Sequence, residues 1–341
     1  MQVIRPIKKS DFDALKQIAI ESGHGFTSLP VNDEQLSEKI SRAELSFNKS
    51  ASSPGDEGYL FVLEDTQTGE ILGTTAIEAA VGMNVPLYHY HKSKSVHHSK
   101  ALGVYNTVDV LTMCNDYTGA SEICTLFLRE AFRKGLAGRL LSRVRFLFMA
   151  EHPTRFADTV IAEMRGVSDA HGHSPFWEWL QEHFFSIDFP EADHLIGIGS
   201  KGFISELMPK HPIYANLLSE KAQAVIGQVH EKTKPALRLL EKEGFEHRGY
   251  VDLFDAGPTV ESKLNKIRSV KESINSKVTI SDDISNETVF AICNTSIADF
   301  RATFTPQVKY IKEQGITVIS PEVAKALNVS EGDSIRFINL T

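Results

Sequence analysis

The 341 residues predict an α+β fold: a mixed, helix-flanked sheet over residues 1–265, then a small β-rich, barrel-like domain over 266–341. Three observations point there. The chain opens strand then helix, with VIRPI before FDALKQIAIESG. Its middle holds a strand, a glycine-rich turn and a long apolar helix, SEICTLFL followed by FRKGLAGRLLSRVRFLFMAEH. Beyond residue 265 the pattern breaks into short β-type runs, KVTISD, TVFAIC and ADFRATF.

The elements follow in order. Ser10-Asp11 is expected to cap the first helix, and Gly23 to end it. Residues 23–32 carry Gly, Ser, Asn and Pro and predict a loop. NDEQLSEKISRAELSF is an amphipathic helix. YLFVLED (59–65) and ILGTTAIEAAVG (71–82) flank TQTGE and predict a hairpin. Residues 84–115, with YHYHKSKSVHH, show no clear period and stay unassigned. A strand is expected over 121–128, a helix over 132–152 and a strand over 159–167. An insertion around 151–215 holds an aromatic-rich helix (173–186), whose rings suit a core, and a short proline-ended helix within 203–214. SEKAQAVIGQV is a helix or a short strand, and its period does not decide. PALRLLEKEGF is a helix stopped at Gly244, and YVDLFDAGP (250–258) a strand and turn. VISPEVAKALNVSEGDSIRFINL reads strand, helix, turn, strand.

Composition removes several function classes. A net charge of −8 with no basic run argues against nucleic acid as a partner. No apolar run is long enough to span a bilayer, and the start lacks the apolar stretch of a signal peptide, so no membrane role is expected. Cys114, Cys124 and Cys293 form no CxxC pair, which fits a reducing cytoplasm. The histidines of HYH (89–91), HH (97–98) and HGH (171–173) do not match HExxH or Cys/His ligand spacing. No metal site and no permanently bound cofactor are expected.

Three ordered segments resemble the GNAT superfamily of acyl-CoA-dependent N-acyltransferases: VIRPIKKSDFDALKQIA, CTLFLREAFRKGLAGRLL (124–141) and TKPALRLLEKEGF (233–245). That superfamily places a pyrophosphate-binding loop of pattern Arg/Gln-x-x-Gly-x-Gly/Ala at a helix start. Here Arg133 and Gly138 fit the pattern. Leu136 stands where the first glycine belongs, and Gly135 is one place earlier. Small residues admit the phosphates, and helix amides bind them. The second departure is Leu240, where many members carry a proton-donating tyrosine.

The longer stretches TSLP (27–30), GYLFVLEDTQTG, AEMRGVSDAHGHSPFW (162–177), ELMPKHPIY (206–214), VIGQVHEKTKPALRLLEKEGF and FDAGPTVE (254–261) resemble the arginine N-succinyltransferase family. The resemblance implies transfer of succinyl from succinyl-CoA, a co-substrate, to the α-amine of L-arginine. It implies the GQVH histidine, His230, as proton donor to the leaving thiolate. It places succinyl-CoA on the CTLFL strand at Leu126, with Leu128, Arg133, Gly135, Gly138 and Arg139 continuing the site.

The bonds ask for more. The attacking amine must lose a proton, and the carbonyl oxygen needs a fixed donor, for which an amide near Leu126 is placed. The guanidinium asks for a carboxylate, with Glu78, Glu122 and Glu163 as candidates. The succinyl carboxylate asks for a cation, with Arg165, Lys210 and His211 as candidates. Direct transfer is favoured, since Cys124 has no evident partner base. Alternatives stay open: ornithine or another amine as acceptor, and a non-catalytic CoA-binding protein. The expected assembly is a homo-oligomer or a hetero-oligomer with a paralogous subunit. The C-terminal domain is expected to be a structural cap or subunit contact.

Overall fold

The computed structural model describes residues 1–340, apart from 24, 25, 27, 170, 171, 185, 186, 188–190, 192–206, 283, 285 and 286. Thr27, His171, the last two residues of the expected helix at 173–186, and positions 203–206 of the short helix therefore lie outside the described residues.

The chain begins with β1 (Gln2–Pro6) and α1 (Phe12–Ser22). Asp11 does not cap α1 with its side chain. Its carboxylate instead takes the Lys8 amide at 2.8 Å and the Arg5 guanidinium at 2.7 Å, fixing the strand-to-helix corner. α2 (Asp33–Asn48) is capped by Asn32, which accepts the Gln35 amide at 3.0 Å. The hairpin forms from β2 (Gly58–Asp65) and β3 (Ile71–Glu78).

The unassigned stretch is a second hairpin, β4 (His89–Ser99) and β5 (Val104–Cys114), paired from His89↔Cys114 to Ser99↔Val104. Its outer half faces solvent, so neither strand shows the alternation that half-burial would impose.

β6 (Ser121–Leu128) leads to α3 (Ala137–Glu151), which starts five residues later than expected, after a 3₁₀ turn at Glu130–Phe132. β7 (Thr159–Glu163), α4 (Pro175–Phe184), β8 (Ile213–Tyr214) and α5 (Glu220–Val225) follow. Then come α6 (Lys234–Lys242), β9 (Glu246–Val251) and β10 (Pro258–Lys263). The last part holds α7 (Arg268–Glu272), β11 (Ile274–Ile280), β12 (Phe290–Asn294), β13 (Ala302–Thr305), β14 (Val308–Ile311), β15 (Ile316–Ile319), α8 (Pro321–Leu327) and β16 (Ser334–Asn339).

All these strands form one mixed sheet, in the order β14-β15-β11-β16-β12-β13-β1-β2-β3-β6-β7-β10-β9-β4-β5-β8. The barrel-like closure expected for residues 266–341 is not found among the described residues. β13 pairs β12 on one side and β1 on the other, through Ile4↔Ala302. The edge a barrel would close on itself is used to extend the sheet.

α3 binds the two parts together. Ten of its residues are buried. Phe148 sits 5.1 Å from the Tyr59 ring, 5.3 Å from Phe61 and 5.0 Å from Phe300. Such rings each contribute about 1.5–3 kcal/mol by burial. A second core lies under α4 and α5, around Tyr90, Phe176, Trp177 and Val251.

Candidate active site

The site begins where β6 leaves β7. The two run parallel, but they pair only at Ser121↔Val160 and Glu122↔Ile161. On its other edge β6 pairs β3, with a register shift between Thr74 and Ala76. Thr125 sits at that shift with φ 53. A β-branched residue in the left-handed region costs on the order of 1–3 kcal/mol, and a bulge there bends the strand. Beyond it Leu126, Phe127 and Leu128 are half-buried, and β7 supplies no ladder partner for them among the described residues.

The strand end runs into the start of α3. Arg133 donates from Nε to the Leu128 carbonyl at 2.8 Å and lies over the Phe127 ring. Gly135 takes φ 75, which turns the chain into the helix. No side chain caps α3, and its first turn holds no acid. Gly138 leaves space: a Cβ there would meet only Leu128, at 3.8 Å. Arg133, Lys134 and Arg139 are exposed around this start. Open helix amides, the positive end of the helix dipole and three cations suit a phosphate or pyrophosphate.

His230 stands at the end of β7. Its amide donates to the Arg165 carbonyl at 2.9 Å, and Val229 bridges Gly166. The ring Nδ1 accepts the Lys232 amide at 3.1 Å, at the start of the 3₁₀ turn that leads into α6. That bond needs the Nδ1 lone pair, so the neutral ring carries its proton on Nε2. Burial, then the charges of Arg165 and Lys232, push the imidazole below its usual range, with Glu231 opposing them. Leu240, near the other end of α6, is 2% exposed and packs in the main core. Glu243, just past α6, is buried and accepts from the Ser269 amide at 2.8 Å and from Arg268 at 3.0 Å. The helix therefore locks α7 at one end and presents His230 ahead of the other.

Of the carboxylate candidates, Glu78 faces Glu122 across β3–β6, and Glu122 faces Ile161 across β6–β7. Glu163 lies two residues beyond Ile161, so all three share one face of adjacent strands. Glu78 already meets Arg42 at 2.6 Å and Lys39 at 4.0 Å. Glu163 meets the fully buried His89 at 2.7 Å. Burial opposes a charge on His89, but the carboxylates of Glu163, Asp252 and Asp116 outweigh it and raise the imidazole above its usual range.

Arg165 donates to Ser168 at 3.0 Å and lies beside His230. Lys210 and His211 are exposed in the bend before β8, at the sheet edge, with β7, β10, β9, β4 and β5 between β8 and β6. Sheet order does not bring them to the splayed strands. Burial, with Glu122 and Glu78, pushes the Cys124 thiol well up, which disfavours a nucleophilic thiolate.

Sequence reasoning missed His89, Asp252 and Asp255. Burial pushes both aspartic acids up; Glu163 adds to the effect at Asp252, and Asp252 adds to it at Asp255. For Asp255 the motif FDAGP was the available signal, but its hold on the Gly166 amide is long-range.

Comparison with known proteins assigns the family. A family model described as the arginine N-succinyltransferase beta subunit matches residues 2–269, and one for that subunit's C-terminal domain matches 275–339. An arginine N-succinyltransferase of Yersinia pseudotuberculosis is 45% identical over 347 aligned positions, covering 100% of this chain and 98% of the relative. One from Salmonella schwarzengrund is 46% identical, with the same coverage. The solved structure of arginine/ornithine succinyltransferase subunit AI from Pseudomonas aeruginosa superposes with a TM-score of 0.91 at 36% identity, covering 100% of this chain and 99% of that one. With both parts of the chain matched and the fold shared over its whole length, the protein belongs to the arginine N-succinyltransferase family.

Proposed function

We propose that this chain transfers the succinyl group of succinyl-CoA to the α-amine of L-arginine, giving N2-succinylarginine and CoA. The observation that carries the reading is the divergence of β6 from β7 beyond Glu122, with the bulge at Thr125 on the way, which leads a strand edge with no β7 partner among the described residues to an uncapped, cation-flanked helix start. Full-length relatives named for this reaction support the substrate pair. The GNAT acyltransferase fold is part of the same reading.

The thioester arm runs along Leu126 and Leu128, and the CoA phosphates sit at Arg133, Gly135, Gly138 and Arg139. An amide near Leu126 donates to the carbonyl oxygen as it gains charge; such a donor contributes about 10²–10³-fold. The amine nitrogen attacks the carbonyl carbon and the carbon–sulfur bond breaks. His230 takes up a proton shed by the amine and, as the imidazolium, donates the Nε2 proton to the departing sulfur, returning to the neutral ring. The substrate ammonium releases two protons in all, one ending on the CoA thiol and one in solvent. Glu78, Glu122 and Glu163 form an acidic wall for a dicationic acceptor, and Arg165 faces the succinyl carboxylate; Lys210 and His211 serve it only if their bend folds toward the strands.

Ornithine as acceptor is favoured by one observation, the name of the Pseudomonas subunit. Among the described residues no helix is long and apolar enough to cross a membrane, and we place the enzyme in the cytoplasm as a homo-oligomer or with a paralogous subunit. We read residues 1–265 as the acyltransferase domain, and 266–341 as a structural cap that also offers a subunit contact. Thiol release is measured with succinyl-CoA or acetyl-CoA and with arginine or ornithine. Release with succinyl-CoA and arginine is expected; no release with any pair leaves a CoA-binding protein without catalysis.

A further inference from the structure

The mechanism above makes no use of the turn between β9 and β10, yet that turn touches both backbones that hold His230. Asp255 is buried, and its carboxylate accepts the Gly166 amide at 2.6 Å and the Gly257 amide at 2.8 Å. Asp252 closes the turn beneath it, accepting the Phe254 amide at 2.7 Å and the Asp255 amide at 3.0 Å. Ala256 is held at φ 54, and its carbonyl accepts the Gly227 amide at 2.8 Å.

One turn therefore grips the end of β7 through Gly166 and the start of the histidine loop through Gly227. Those two segments also join each other, by the Gly166–Val229 bridge and by the His230 amide on the Arg165 carbonyl at 2.9 Å. The approach is too close for side chains. A Cβ on Gly166 would lie 2.5 Å from the Asp255 carbonyl, and one on Gly257 would lie 2.2 Å from the Met164 carbonyl. Left-handed strain at a non-glycine residue persists only where the surroundings hold it.

We propose that Asp255 is a positioning residue: its carboxylate anchors the Gly166 backbone and thereby fixes the Arg165 carbonyl on which His230 hangs. The inference rests on the reading of His230 as the group that meets the leaving sulfur. Asp255 is buried with its carboxylate on backbone amides. It acts through the placement of an imidazole, where an error of about 1 Å can cost about 10²-fold in rate.

The test is a double-mutant cycle on the full-length chain, with kcat, succinyl-CoA affinity and thermal midpoint measured on each folded variant. Asp255→Asn is expected to lower kcat by about 10–10²-fold while succinyl-CoA affinity, set at β6 and α3, changes less than about twofold. In the His230→Ala background the same substitution is expected to have no further effect on kcat. Gly166→Ala forces the same contact apart from the strand side and serves where Asp255→Asn does not fold; it is expected to show the same non-additivity. A slow His230→Ala with an unchanged Asp255→Asn or Gly166→Ala overturns this inference alone. A further loss on adding Asp255→Asn to His230→Ala overturns it too. A fully active His230→Ala removes the reading of His230 and this inference with it.

Discussion

His89 and His230 are both tied to the end of β7, and their surroundings drive them in opposite directions. His89 is fully buried against Glu163, and the carboxylate raises its pKa against the opposing effect of burial. His230 is half-buried, and burial, then Arg165 and Lys232, push its pKa down, while a backbone amide occupies its Nδ1. The same side chain is pushed toward the cation in one place and toward the neutral ring in the other. What separates them is which groups the backbone points at each ring: carboxylates at His89, amides and cations at His230.

The largest expected effect is on turnover. His230→Ala should lower kcat by about 10²–10⁴-fold, as loss of a general acid does, with the thermal midpoint nearly unchanged. Thiol release at saturating substrates checks it, and full turnover would falsify the assignment. His89→Ala should behave in reverse. Removing one member of a buried ion pair costs about 3 kcal/mol, so the thermal midpoint should fall by several degrees. If His89→Ala melts with the wild type, the ion pair is not structural.

The next effect is on pH. Because the His230 pKa is depressed, the neutral ring persists below pH 6.5, and the stability it contributes is full above 6.5 and lost as pH falls from there through the depressed folded value. The acid limb of kcat/KM should therefore lie below 6.5 and vanish in His230→Ala. For His89 the sign reverses. Its raised pKa contributes stability that is full below 6.5 and lost as pH rises through the folded value. Glu163→Gln should abolish that slope in thermal melts taken from pH 6 to 9. An unchanged slope would assign it to other groups.

The smallest effect sharpens the contrast. Lys232→Gln removes a cation that lowers the His230 pKa, and should move the acid limb upward. A downward move would show that another charge controls the ring.

Legibility tracked the range of each interaction. α2 was readable because Asn32 caps Gln35 three residues away, and the run after Ser320 was readable because Ser320 accepts the Val323 amide. The β4–β5 hairpin escaped because its pairing, not its apolar pattern, defines it. Barrel closure was expected from short β-type runs, but strand order depends on which edge is free, and β1 occupies that edge. At the candidate site, His230 and the glycine-rich turn before α3 were visible as local motifs. The bulge at Thr125 was not, since threonine is a good strand former and nothing local marks it for a left-handed conformation.

The sequence by itself determined the composition of the candidate site: a glycine-rich helix start, a histidine ahead of α6, a leucine where an acid was expected, and carboxylates on three strands. Spacing along the chain was enough for these, because capping and strand alternation act within a few residues. Only the tertiary structure decided that Glu78, Glu122 and Glu163 share a face, that Lys210 and His211 stand at a distant edge, and that Asp255 braces the strand end beside His230. Those facts rest on strand register and on a carboxylate 89 positions from the amide it holds, and such contacts exist only once the sheet has assembled.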